Sequence, residues 1–204
     1  QTCALPISMT ASNILAVYSL ATVADLINGK NWYDRAASIA QGLADKYSIS
    51  FRQAAGVIAA LSPRNKWERN VADAEALIKT FVADPEAADS VKVCTFSANK
   101  SKAIAILSSG VKSDAAVCDI LSGPKLQEFF LCISAYQDEV CIDGHAYSIW
   151  CGDRITLDSI PKMGKKLRAQ IKADYVEAAK KIGVPGYVMQ AVTWCTWRRL
   201  HGIG

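Results

Sequence analysis

Apolar residues along this chain recur at three-to-four spacing, with alanine filling many of the intervals. That period predicts helix almost everywhere. Helices are expected over residues 11–28, over Trp32–Tyr47, and over residues 50–61 (SFRQAAGVIAAL), where Ser50 is a candidate cap. Residues 62–65 interrupt the pattern. Helix resumes over residues 67–82 and stops at Asp84 and Pro85. Shorter helices are expected over residues 100–107, Asp114–Leu121 and residues 125–136. The last places Leu126, Phe129, Phe130 and Ile133 on one face. A short apolar approach, residues 140–142, leads to Asp143, Gly144 and His145, with helix through Trp150. Residues 161–182 and 187–200 form the final helices, separated by a break at 183–186. There is no alternating strand pattern longer than a few residues, no internal repeat and no low-complexity linker. The expected fold class is therefore all-α, compact and built of two helical lobes.

Composition narrows the picture. A chain of 204 residues, 51% apolar, can bury a sizeable core and is no disordered tail. No apolar run reaches the roughly 18 residues of a membrane span, so no membrane partner is expected. A net charge of +4 suits a polyanion but serves solubility equally well. Seven cysteines (Cys3, Cys94, Cys118, Cys132, Cys141, Cys151 and Cys195) are scattered, odd in number and without a CxxC pair. They read as reduced, core-filling thiols of a cytoplasmic protein, and their spacing suits neither zinc nor an iron–sulfur cluster. No metal or organic cofactor is implied, nor any protein partner, so a monomer is expected. Residues 1–8 look like a non-native leader. They lack the basic start of a signal peptide, one back-translation matches a sequencing-library adapter, and Met9 is the expected natural start.

The chemistry concentrates in two places. Leu121, Ser122, Gly123, Pro124 and Lys125 form a very short link between two helices. Glycine permits an unusual backbone angle, and proline suits the first helical position. The second helix of such a hairpin begins with backbone N–H groups that attract a phosphate oxygen. Its positive end disfavours an ammonium on Lys125, and a neutral amine can act as a nucleophile. Eighteen residues later stands Asp143, carried by an apolar segment to a helix start. A partly buried carboxylate there can stabilise developing positive charge, or activate a water or an amine.

These residues resemble the helix-hairpin-helix DNA glycosylases, the superfamily of endonuclease III. Their hallmark is an L-P-G-x-G-x-K hairpin, an amphipathic helix, and an apolar stretch ending in D-x-H. The Lys125-to-Asp143 spacing equals that of the endonuclease III branch. Residues 56–64 (GVIAALSPR) are similar to the family's apolar helix ending in L-S-x-Q, which puts Arg64 or Asn65 where the family inserts a polar plug into the duplex. Asn99, Lys100, Ser101, Lys102 and Ala103 resemble its N-x-K-A stretch. The likeness covers roughly residues 50–150. The hairpin here is two residues shorter than the family's and keeps one glycine. The iron–sulfur cysteine loop is missing, and residues 187–204 look like phage-associated relatives of the fold.

The resemblance implies base excision from DNA by a two-lobed enzyme. A nucleotide is extruded into a pocket. Asp143 stabilises the oxocarbenium-like sugar, and Lys125 as a nucleophile would add a lyase step through a Schiff base. Leu121, Ser122, Gly123 and Pro124 grip a phosphate. His145 would support Asp143, and Trp67 lines the pocket or packs the core. Excision of modified bases from phage DNA, as a defence, is one implied niche.

Plainer readings stand beside these. Asp143 is also a good helix cap. Lys125 and Arg64 are also ordinary surface cations. The basic stretch 161–182, with seven Lys/Arg against two Asp/Glu, is also a solvated face. Its residues 160–166 look like a second turn that touches DNA. Trp194 and Trp197, three apart on a helix, read as core. Two further functions use the same fold. One is a transferase that builds hypermodified pyrimidines, with Asp143 activating an amine; the other is a DNA-binding module without chemistry.

Overall fold

The computed structural model describes residues 11–203, and of Leu157 only its backbone. The expected leader, residues 1–8, lies outside the described residues. Among those residues the protein is all-helical. Its helices are α1 (Ala11–Ser19), α2 (Val23–Lys30), α3 (Trp32–Tyr47), α4 (Phe51–Leu61), α5 (Trp67–Ala83), α6 (Ser97–Ser108), α7 (Asp114–Leu121), α8 (Pro124–Ile133), α9 (Gly144–Cys151), α10 (Lys165–Ile182) and α11 (Gly186–Leu200). Two short 3₁₀ turns, Pro85–Ser90 and Leu157–Ser159, complete the set. The chain divides into two compact units. One comprises Gln1–Asp34 and Ala135–Gly204, the other Arg35–Ser134.

The Arg35–Ser134 unit is built around α4. Ser50 caps this helix by accepting the Gln53 N–H, and Gln53 reaches back to the Ser50 N–H, which closes a capping box. Every residue from Ala54 to Leu61 is buried. Helices α5, α6, α7 and α8 pack around it. Gly56 permits the closest approach, since a Cβ there would stand 2.9 Å from Val117 and 3.1 Å from Ile106. On α8, Leu126, Phe129, Phe130 and Ile133 are buried, as their spacing predicts. The helix stops at Ile133, three residues before its expected end.

The other unit has α1 against α9, α10 and α11, with α2 laid on α11. Its core holds Ile14, Ile142, Trp150, Tyr175, Met189 and Trp197. The Trp150 indole donates to Asp174 at 2.6 Å. Gly29 is required, because a Cβ would sit 2.5 Å from the Val192 Cα.

The single helix expected over residues 11–28 is two helices. Thr22 caps α2 by accepting the Asp25 N–H, and Asp25 returns a bond to the Thr22 N–H at 2.9 Å. That box starts a new helix where alanine-rich periodicity ran on unbroken. Burial opposes the Asp25 carboxylate, but the Thr22 N–H and Arg199, whose Nε donates at 2.7 Å, outweigh it and hold the group below the usual range.

None of the six described cysteines is joined in a disulfide. Cys132, Cys141 and Cys151 fill core as expected, and burial pushes the Cys151 thiol up. Cys94 is exposed, against expectation, because it lies in a bend outside any helix. Among the described residues no single helix is long and apolar enough to cross a membrane.

Candidate functional site

The two parts of the expected site fall in different units, Lys125 in one and Asp143 in the other.

In the Arg35–Ser134 unit, α7 and α8 form a hairpin with only Ser122 and Gly123 between them. Ser122 takes the left-handed conformation at φ +54°, the turn angle that glycine was expected to supply. Gly123 is extended, at φ −110°. Pro124 opens α8, no side chain caps it, and the first intrahelical bond runs from the Gln127 N–H to the Gly123 carbonyl at 3.0 Å. The Lys125 and Leu126 N–H groups therefore lie ahead of the helical ladder, the arrangement that favours an anion. Lys125 is exposed in this first turn, and Leu121 is buried behind it. The Lys102 ammonium donates to the Leu121 carbonyl at 2.7 Å, and Gln127 donates to the Cys118 carbonyl at 2.8 Å. The hairpin is thus fastened from α6 as well as from within.

The turn after α4 is fastened by the same helix. Asn99 donates to the Thr95 hydroxyl at 3.2 Å, and Thr95 donates to the Pro63 carbonyl at 3.0 Å. Asp73, 4% exposed, accepts from Arg69 (2.6 Å), the Cys94 N–H (2.7 Å) and Asn65 (3.1 Å). Burial works against this carboxylate, but the Cys94 N–H, Arg69 and Asn65 together hold it below the usual range. Asn65 is therefore turned inward. Arg64 is exposed in the left-handed conformation at φ +55°, with its guanidinium 5.3 Å from the ring centroid of Phe96. Phe96 is itself 53% exposed. A non-glycine residue held at positive φ over an exposed aromatic stores strain that the rest of the loop must support. Sequence reasoning missed Phe96, since a lone aromatic between loop residues carries no period. Trp67 opens α5 and is half-buried.

In the other unit, the buried, non-helical residues 140–142 lead to Asp143 at the N-cap of α9. Its carboxylate accepts the Ala146 N–H at 2.8 Å, and the residue is half-buried. Arg168 on α10 donates to the Ile142 carbonyl at 2.8 Å and steadies the approach. Tyr175, fully buried, donates to the Ala146 carbonyl at 3.3 Å. Burial pushes the Tyr175 phenol far up, a hydrogen bond with Thr193 opposes that, and the nearby Asp143 charge adds to it. The His145 and Trp194 rings meet in a T-shaped arrangement with centroids 6.5 Å apart, and the Arg198 guanidinium lies 4.3 Å over the Trp194 ring. Trp197 is core as expected, whereas Trp194 is only half-buried.

In the basic stretch, Arg168, Lys172 and Lys181 have protein partners, whereas Lys162, Lys165 and Lys166 are exposed. Lys172 pairs with Glu139 at 2.7 Å and Lys181 with Glu177 at 2.7 Å. Gly164 caps α10, so residues 160–166 form the turn into that helix. Among the described residues no group of three or more His, Cys, Asp or Glu gathers to hold a metal.

A family model matches residues 2–201, which is nearly the whole chain. The chain belongs to DUF7178, a family of unknown function. No curated protein and no solved structure matches it. For this DUF7178 member, then, the geometry of its own residues carries the functional argument. The structure links the Arg64 turn, the Asn99–Lys102 stretch and the Lys125 hairpin within one unit. In the other, Arg168 and Tyr175 bond the carbonyls of Ile142 and Ala146 on either side of Asp143, and His145 meets Trp194.

Proposed function

We propose that this protein is a DNA glycosylase of the helix-hairpin-helix fold, which extrudes and excises a modified base. The observation that carries the reading is Asp143. It is a half-buried carboxylate at a helix start, anchored by one oxygen to the Ala146 N–H at 2.8 Å and backed by a buried tyrosine. Such a group is fixed in place yet reaches solvent, which suits a carboxylate that must face a cationic sugar. The α7–α8 hairpin supports the reading independently, with an uncapped helix start and an exposed lysine in its first turn.

In this mechanism the hairpin amides and Arg64 hold backbone phosphates and the opened duplex, while the base leaves the stack. The C1′–N bond breaks, its electrons leave with the base, and Asp143 stabilises the positive sugar that remains. Water, deprotonated by Asp143, completes hydrolysis and leaves an abasic site. If Lys125 attacks C1′ instead, the product is a Schiff base and the strand is cleaved after base loss. The enzyme acts as a monomer on cytoplasmic DNA, without a cofactor, and modified phage DNA is its proposed substrate.

The test is release of free base and formation of abasic sites on DNAs carrying normal, damaged and phage-type modified bases. Borohydride trapping reports the lyase step, with Lys125→Ala as its control. DNA that gains mass on a base and keeps its glycosidic bonds identifies the transferase and overturns the excision reading. Binding that Asp143→Asn leaves intact, with no chemistry on any substrate, identifies a pure DNA-binding module.

A further inference from the structure

We propose that Trp194, with Arg198 and His145, is a stacking site for an unpaired nucleotide of DNA beside Asp143; this rests on the excision reading. Most of α11 is buried, including Met189, Val192, Thr193, Thr196 and Trp197. Trp197 joins the core of its unit beside Ile14, Trp150 and Tyr175. Trp194, less than one turn earlier, stands outside that core and stays half-buried. A large indole left partly in water forgoes much of the burial that makes tryptophan stabilising.

What Trp194 has instead is an ordered polar setting. Arg198, four residues on and so on the same helix face, lies with its guanidinium carbon 4.3 Å from the ring centroid. Its Nε donates to the Ile203 carbonyl at 3.2 Å, which holds the group in place. The His145 and Trp194 rings stand in a T-shaped arrangement, with centroids 6.5 Å apart and an interplanar angle of 74°. His145 lies in the first turn of α9, two residues from Asp143. The indole therefore borders the turn that carries the carboxylate. The cation–π contact stabilises the pair modestly, and the part of the indole still in water is what a stacked base would cover.

The assembled chemistry is a flat aromatic surface, a guanidinium with donors and no acceptor, and an imidazole. One nucleotide meets all of it. Its base stacks on the indole or on the Arg198 plane that extends it, and its phosphate oxygen or base carbonyl accepts from Arg198. No base edge is read by stacking, so this site holds whatever base is extruded and leaves selection to its polar neighbours.

The test uses the full chain carrying Asp143→Asn, so that bound DNA is not consumed. Two duplexes are compared, one with 2-aminopurine opposite cytosine and one with it paired to thymine. The mismatched duplex should bind about tenfold tighter, the worth of one base–aromatic stack, with quenching of the 2-aminopurine fluorescence. Trp194→Ala should erase both the preference and the quenching, and leave paired-duplex affinity unchanged. Trp194→Phe should keep most of each, and Arg198→Gln should reduce the salt dependence by about one counterion. Circular dichroism confirms that each variant is folded. Preference and quenching that survive Trp194→Ala overturn the stacking site. So does a folded Trp194→Phe that loses as much as alanine does. Base release by the unsubstituted protein, unchanged by Trp194→Ala, removes this inference and leaves excision standing. Failure to bind either duplex overturns both.

Discussion

The Asp143 carboxylate accepts the Ala146 N–H at 2.8 Å, so the group assigned to chemistry also holds the start of α9. Its two roles separate by substitution. Asparagine caps a helix about as well as aspartate does, whereas alanine forfeits about 1 kcal/mol. Denaturant unfolding should therefore place Asp143→Asn close to the unsubstituted protein and Asp143→Ala about 1 kcal/mol below it. Equal losses in both would mean that the charge, and not the cap, supports the fold.

Arg64 at φ +55° should cost stability to keep. Left-handed backbone is disfavoured by roughly 1–2 kcal/mol for a residue with a Cβ. Arg64→Gly should raise stability by up to about 1 kcal/mol. The same substitution should weaken DNA binding and lower its salt slope by about one. A variant that gains stability and binds DNA unchanged would reduce Arg64 to a surface cation.

Two glycines give opposite outcomes. At Gly29 a Cβ meets the Val192 backbone at 2.5 Å, so neither α2 nor α11 can yield cheaply. Gly29→Ala should destabilise by about 2–3 kcal/mol or more. Gly42 lies exposed inside α3 with nothing within 4 Å, so Gly42→Ala should stabilise by about 0.5–1 kcal/mol. Thermal unfolding of the pair checks the α2–α11 contact directly.

Asp73 ties the Arg64 turn to the segment before α6, and its carboxyl is held below the usual range. The stability it contributes is fully present above its unfolded value near 3.9. It is lost as pH falls through the lower folded value. A midpoint profile from pH 6 downward should therefore drop below about pH 4, and Asp73→Asn should flatten part of that drop. At neutral pH, Asp73→Asn should cost about 2 kcal/mol, because one amide cannot accept three donors.

Much of the helical layout was legible in the sequence. Trp32–Tyr47 and Asp114–Leu121 match to the residue, and Ser50 caps α4 as expected, with Gln53 adding the return bond of a capping box. What escaped has physical causes. The break before α2 depends on Thr22 and Asp25 meeting, and apolar period cannot reveal it while alanines continue the pattern on both sides. Trp194 and Trp197 lie about 60° apart around α11, a step too small for periodicity to decide which one faces the core. The placement of Asp143 at a helix cap was readable, because an apolar approach followed by Asp-Gly is a local signal. Arg168, Tyr175 and Arg198 were not, since their roles beside it arise only from how α10 and α11 pack on α9.

The central claim is that Asp143 drives base loss, and one measurement tests it most directly. Abasic sites are counted over time on phage-type modified DNA with excess protein, for the unsubstituted chain and for Asp143→Asn. The account predicts abasic sites with the unsubstituted protein and a loss of about 10²–10⁴-fold with Asp143→Asn, while DNA binding persists. Abasic sites formed equally by both proteins, or by neither on any modified DNA that the protein binds, would contradict it.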